Sequence, residues 1–243
     1  MSHIHTFLAG CSTMAATLAA VFVLTGANTG RQQNQFDEIT VGRINVVEPD
    51  GTKRMIISNR SQFPGDFTGG KESPRADRNS FAGMLFINDE GNENGGFIYK
   101  GLIDNKGKTD ASMSLTFDRF RQDQTIQLLH ADQDGELITG VIINDVPDYK
   151  VVSILDKKQY SIEAEKLPSA EQSAYVKQLK DEGKLGQRRI FLGMTSDQNS
   201  ALVLNDAKGR PRMKLLVSAK GQPEIQMLDD TGKVSKTIDA ASN

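Results

Sequence analysis

The sequence predicts an all-β fold: antiparallel hairpins in a meander, forming a sandwich-like or barrel-like domain. An N-terminal transmembrane or signal helix and one short inserted surface helix complete it. Three observations predict this. A polar tetrad ending in glycine recurs between apolar runs, the runs carry apolar residues at period 2, and the stretch 6–30 has no charged residue.

The tetrads are Glu48–Gly51, Asn88–Gly91, Asp104–Gly107, Asp132–Gly135, Asp206–Gly209, Ser218–Gly221 and Asp229–Gly232. A short polar side chain at the first position of a type I turn accepts hydrogen bonds from the backbone ahead of it. Glycine at the fourth position takes a positive φ at little cost. A type I turn followed by a left-handed glycine is a common hairpin loop with its G1 bulge. Gly51, Gly91, Gly107, Gly135, Gly209, Gly221 and Gly232 are therefore expected to be structural turn glycines.

The flanks fit strands. In "RINVVEPDGTKRMIIS" the residues Ile44, Val46, Met55 and Ile57 alternate, and "AGMLFI" puts Met84 and Phe86 on one face and Leu85 and Ile87 on the other. Strands that are apolar on both faces predict burial on both sides, hence the sandwich. "VVEPDGTKRMII" and "LNDAKGRPRMKL" echo each other, with Gly51 on Gly209. Two stretches break the pattern. Residues 61–80, "SQFPGDFTGGKESPRADRNS", read as a long polar loop. Residues 167–186, "LPSAEQSAYVKQLKDEGKLG", read as a helix, with Ser169 and Gln172 as a capping box, Val176 and Leu179 as its apolar stripe and Gly183 as its C-terminal cap. The predicted organisation is a hydrophobic anchor or signal over 1–30, a hairpin-rich region over 31–155, an insert with the helix over 156–187, and a C-terminal meander over 188–243.

Residues 6–30 are long enough to span a bilayer as a helix. Three readings fit them: a transmembrane anchor, a signal peptide cleaved after Ala27, or a lipoprotein signal around "LAGC", Leu8–Cys11. Most of the apolar stretch follows Cys11, whereas a lipobox expects it to precede the cysteine. All three readings place the remainder of the chain outside the cytoplasm.

Composition narrows the function. The formal net charge of −2, from 29 basic and 31 acidic residues, argues against a general nucleic-acid binder. Aromatic residues make up 6% and tryptophan is absent, which weighs against stacking platforms for bases or sugars. Cys11 is the single cysteine, so the rest of the chain cannot form an internal disulfide or a cysteine-based zinc site. No cofactor is expected.

The candidate chemistry is sparse. His130 is the one histidine downstream of the apolar segment, and it reads as a strand-end residue. "NDEGNENGG", residues 88–96, gathers the hard oxygen donors Asn88, Asp89, Glu90, Asn92 and Glu93, as calcium prefers. They lack EF-hand spacing, and the turn explains the first half. On that reading Gly91 needs its positive φ and Asn92→Ala does little. Gly95-Gly96 suggests a bulge or a close backbone approach. Asp118 and Asp123, in "LTFDRFRQDQ", are the best pair of carboxylates for a hydrolase. A charged connection with its own salt bridges is the simpler account of them.

Three pieces, "ITVGRINVVEPDGTKRMIISN", "AGMLFINDEGNENGGFIY" and "LTFDRFRQDQTIQL", occur in this order. With the C-terminal "NDAKGRPRMKLLVSAKGQPEIQMLDDTGKV", the set resembles a family of uncharacterised bacterial proteins that carry an N-terminal hydrophobic segment. The resemblance implies a bacterial cell-envelope setting and carries no activity, so no site residue is transferred. The expectation is a membrane-tethered or exported protein with a non-catalytic binding or scaffolding role. Its partners are the membrane, through the N-terminal segment, and a protein partner or a second copy through exposed strand edges. The alternatives are a carboxylate-dependent hydrolase of envelope polymers and a calcium-dependent adhesion module.

Overall fold

In the computed structural model of the protein, residues 35–239 are described. The chain divides into Met1–Thr40 and Val41–Asn243, and the fold below is that of the second unit. The segment 6–30 lies outside the described residues. Among those described, no helix is long and apolar enough to cross a membrane.

The tetrads do reverse the chain. In six of them the glycine amide donates to the carbonyl of the first residue, at 2.8–3.2 Å. All seven glycines have positive φ, from +73° to +89°. Asn88 is typical: its side-chain Oδ1 accepts from the amides of Glu90 and Asn92, each at 3.0 Å. The tetrad at Asp132 differs from expectation. There Asp134 (φ 57°) and Gly135 (φ 88°) are both left-handed, and Gln133 pairs directly with Glu136. This is the two-residue type I′ loop that Asp-Gly favours, because two left-handed residues match the twist of the strands.

The hairpins join into one twelve-stranded antiparallel sheet. Its strands are β1 (Arg43–Val47), β2 (Lys53–Ser58), β5 (Ala82–Ile87), β6 (Glu93–Ile103), β7 (Thr109–Asp118), β8 (Gln124–Gln133), β9 (Glu136–Asp145), β10 (Gln187–Met194), β11 (Ser200–Asn205), β12 (Pro211–Val217), β13 (Pro223–Leu228) and β14 (Val234–Asp239), side by side in that order. The expected meander is therefore present, but as a single sheet instead of two packed ones. Nor, among the described residues, does it close through hydrogen bonds, since β1 pairs there with β2 alone and β14 with β13 alone.

Residues 61–80 are not the long loop that their polarity suggests. They hold two 3-10 turns and a small hairpin of β3 (Asp66–Thr68) and β4 (Lys71–Ser73). This arm docks through Phe67, 2% exposed, which clusters with Ile56 and Ile87. Two helices, not one, interrupt the sheet between β9 and β10: α1 (Ile154–Lys166) and α2 (Ser169–Asp181). The capping box belongs to α1, where Ser153 Oγ accepts from the Asp156 amide and Asp156 accepts from the Ser153 amide. Ser169 is already inside α2, whose N-cap is Pro168 and makes no side-chain bond. At the other end Gly183 (φ 71°) donates to Lys180, and Lys184 donates to Leu179, which makes a Schellman motif.

The register separates the two faces of the sheet. Opposed residues Ile56–Leu85–Gly96–Thr116–Gln127–Ile142–Phe191 lie on one face. The buried apolar residues of the sheet, among them Ile56, Leu85, Ile87, Ile142 and Phe191, belong to it. The other face carries a row of apolar residues, one from each strand, directly opposed across the whole sheet: Ile44, Ile57, Met84, Phe97, Leu115, Leu128, Val141, Leu192, Leu202, Leu215, Ile225 and Ile238. None of these twelve is buried.

Candidate functional site

A cleft of about 960 Å³ opens between the arm and the helices. The arm supplies one wall with Asp66 and Arg75–Arg78, and α1 supplies the other with Lys157, Tyr160, Ser161 and Ala164. The start of β6 and the β7–β8 turn contribute Glu93, Asp118, Arg121, Gln122 and Asp123, and Leu179 of α2 also lines the cleft. This volume lies at the upper end of the range for small-molecule pockets.

The β7–β8 turn is held by its surroundings. It shares the hydrogen bonds of the tetrad turns, with the Gln122 amide donating to Arg119 O at 2.7 Å, but it contains no glycine and its left-handed residue comes one place earlier. Arg121 takes the left-handed conformation instead, at φ 56°. Its guanidinium is clamped by Glu90 and stands 5.1 Å from the ring of Tyr149 and 5.3 Å from that of Phe120. Arg119 donates to Val146 O and pairs with Asp148 at 2.8 Å, while Gln122 Nε2 donates to Val152 O. Strain at a non-glycine residue persists only where such contacts fix it.

Asp118 and Asp123 flank this turn and line the same cleft. Asp123 is paired with Lys157 at 3.0 Å. Asp118 is half-buried, and its Oδ1 is sealed from solvent without a hydrogen-bond partner. Burial pushes its carboxyl up to about 7, and the nearby charges of Glu93 and Asp123 add to the effect against Lys157 and Arg78. Glu93 has its own cation, Arg78, at 2.7 Å, with both side chains largely buried, and Arg78 also donates to Gly65 O at 2.7 Å. Asp77 is paired with Arg75 at 2.6 Å. Of the three carboxyls Glu93, Asp118 and Asp123, Asp118 is thus the one without an ion pair.

The tip residues 88–93 are engaged otherwise than as a cage. Asp89 pairs with Arg54, Glu90 with Arg121 and Glu93 with Arg78. Among the described residues no three His, Cys, Asp or Glu side chains come together as a metal site. Asn92 is 7% exposed; its Oδ1 accepts from the Gly69 amide at 2.8 Å, and its Nδ2 donates to Glu90 at 3.1 Å. That corrects the expectation that Asn92 is dispensable, because it ties the tip to the arm. A Cβ at Gly91 would run into the backbone of Gly70, one at Gly95 into Thr116 O, and one at Gly96 into Met84 O. The extra glycines of "NDEGNENGG" thus answer to close backbone approach. The β5–β6 pairing shifts register between Phe86 and Ile87, opposite this stretch.

His130 sits within β8, away from a strand end, and its Nδ1 is 3.0 Å from Thr139 Oγ1. Arg78 and Lys157 are cleft residues that sequence reasoning missed. The first lies in the stretch read as a loop and the second on the helix not foreseen. The pattern Ser153-x-x-Asp156 was the available signal for that helix. No protein-family model matches the chain, and a search of curated proteins finds no match.

Proposed function

We propose that the protein is a non-catalytic binding protein of the bacterial cell envelope, held at the membrane by residues 6–30, and that its ligand presents an amine or guanidinium to Asp118. The observation that carries this is that Asp118 lines the cleft without an ion pair, beside Glu93 and Asp123, which already have cations. A cationic group would supply the missing partner and hold the carboxylate ionised. Partner chains have a second route in the outer backbone edges of β1 and β14, which no strand covers among the described residues.

Calorimetry on the full chain in mild detergent, with cadaverine and arginine methyl ester as probes, tests the cleft. Binding is expected at pH 8 and falls about tenfold per pH unit below 7, as the ligand must displace a proton. Asp118→Asn abolishes it. No binding at pH 8, or binding indifferent to Asp118→Asn, overturns the reading.

A second reading is favoured by one further observation. Asp118 holds its proton near neutrality while Asp123 lines the same cleft. That is the division into acid and base that glycoside hydrolysis uses. Release of soluble fragments from purified peptidoglycan, lost in Asp118→Asn and in Asp123→Asn, would select the hydrolase over the binding protein.

A further inference from the structure

We infer that the open apolar face of the sheet is the contact between two copies of this chain, packed sheet on sheet. An element with an apolar face is stable when that face is covered by a second layer. The covered face of this sheet holds the buried apolar residues, and the open face holds two neighbouring rows that run its full width. In the first row Leu192 is 53% exposed and Ile225 36%. In the second, Val46, Phe117 and Ile126 are exposed at 42%, 50% and 39%.

The size fits a second copy. Twelve strands spaced about 4.8 Å apart make a face roughly 50 Å wide, and the rows add a depth of roughly 14–20 Å. The face is therefore on the order of 700–1,000 Å², beyond the largest apolar patch of an ordinary monomer. Two such faces together bury on the order of 1,400–2,000 Å², the size of a standard stable interface.

The chemistry fits as well. A two-fold contact must be complementary to itself. The first row carries no charge, so any copy matches any other. In the second row the sole charge is Lys236, on edge strand β14. A lysine there also discourages continuation of the sheet from that edge. Two twisted sheets stack about 10 Å apart with interleaved side chains. The sandwich that the sequence predicts is then completed by two chains, each giving one layer.

The test uses the full chain. A photo-crosslinking amino acid is placed in cells at Leu128, near the middle of the row, and at Gln127 on the opposite face as a control. Position 128 is expected to give a product of twice the chain's mass, with peptides of this chain on both sides, and position 127 none. In parallel, sedimentation in mild detergent should give a dimer whose dissociation constant rises at least ~100-fold in the Leu128→Lys, Leu192→Lys double variant, since two unpaired charges would be buried. Both positions are exposed within one copy, so an unchanged circular dichroism spectrum is expected of the variant. Three results overturn the inference: a wild-type monomer, crosslinks from position 128 to lipid or to other proteins alone, or a dimer lost in the edge variant Thr237→Pro but intact in the double variant.

Discussion

At the scale of single residues, the sharpest consequences come from Asp118 and Gly91. The unfolded chain holds the Asp118 carboxyl at its ordinary 3.8, and the folded protein at about 7. Below the first value both states keep the proton, and the group costs nothing. Between the two the folded state alone keeps it, so stability falls as pH rises. Above about 7 the folded protein carries the full cost of an ionised, buried carboxylate. Asp118→Asn should therefore stabilise the protein by on the order of 3 kcal/mol at pH 8 and by little at pH 4. Denaturation of both proteins at the two pH values checks this, and equal gains at both would contradict the burial. Gly91 and Gly107 offer a controlled pair. Both have positive φ, but a Cβ at Gly107 meets nothing within 4 Å while one at Gly91 strikes Gly70. Gly107→Ala should cost about 1 kcal/mol, from backbone conformation alone. Gly91→Ala should cost clearly more and, like Asn92→Ala, loosen the arm, which urea denaturation and protease nicking near Gly69 would report. The sequence made the positive φ legible at both positions, because the turn grammar is local. It could not distinguish them, because the arm that crowds Gly91 arrives from some twenty residues away.

At the scale of elements, the hairpins were legible and the helices only half so. A strand pair joined by Asp-x-x-Gly declares itself within about a dozen residues. The β7–β8 turn does not, because it contains no glycine and its left-handed residue is Arg121, fixed by Glu90 and Tyr149 from elsewhere in the chain and by the ring of Phe120 beside it. Capping boxes can be written at Ser153 and at Ser169, but just one is made. Pro168, with extended ψ of 143°, becomes the N-cap of α2 and leaves Ser169 inside the helix. Gln172 then donates to Leu167 O instead of completing a box. Ser153→Ala should cost about 1 kcal/mol. Faster hydrogen exchange confined to the first turn of α1 is the expected signature.

At the scale of the whole molecule, the sequence announces apolar strands on both faces but not how many layers one chain supplies. Period-2 patterning marks a face as buried and leaves open whether the cover is intramolecular. Protection should follow position in the sheet. Hydrogen exchange is expected to be fastest in β1 and β14, which have one neighbour each, and slowest in the long strands β6–β9. Uniform exchange across the sheet would contradict this. The strand order has one more consequence. Apart from the small hairpin of the arm, every strand lies beside the strands that precede and follow it in the chain. The sheet therefore grows by translation, like a folding screen to which panels are hinged at either end. A pair of panels can be gained or lost at the C-terminal end without rethreading those that remain. The echo between the β1–β2 and β11–β12 hairpins fits such a history. Val46 faces Met55 and Leu204 faces Met213, with a register shift at the next residue in both. Gain or loss of panels would alter the width of the apolar face and leave the cleft, which is built around β6–β8, as it was.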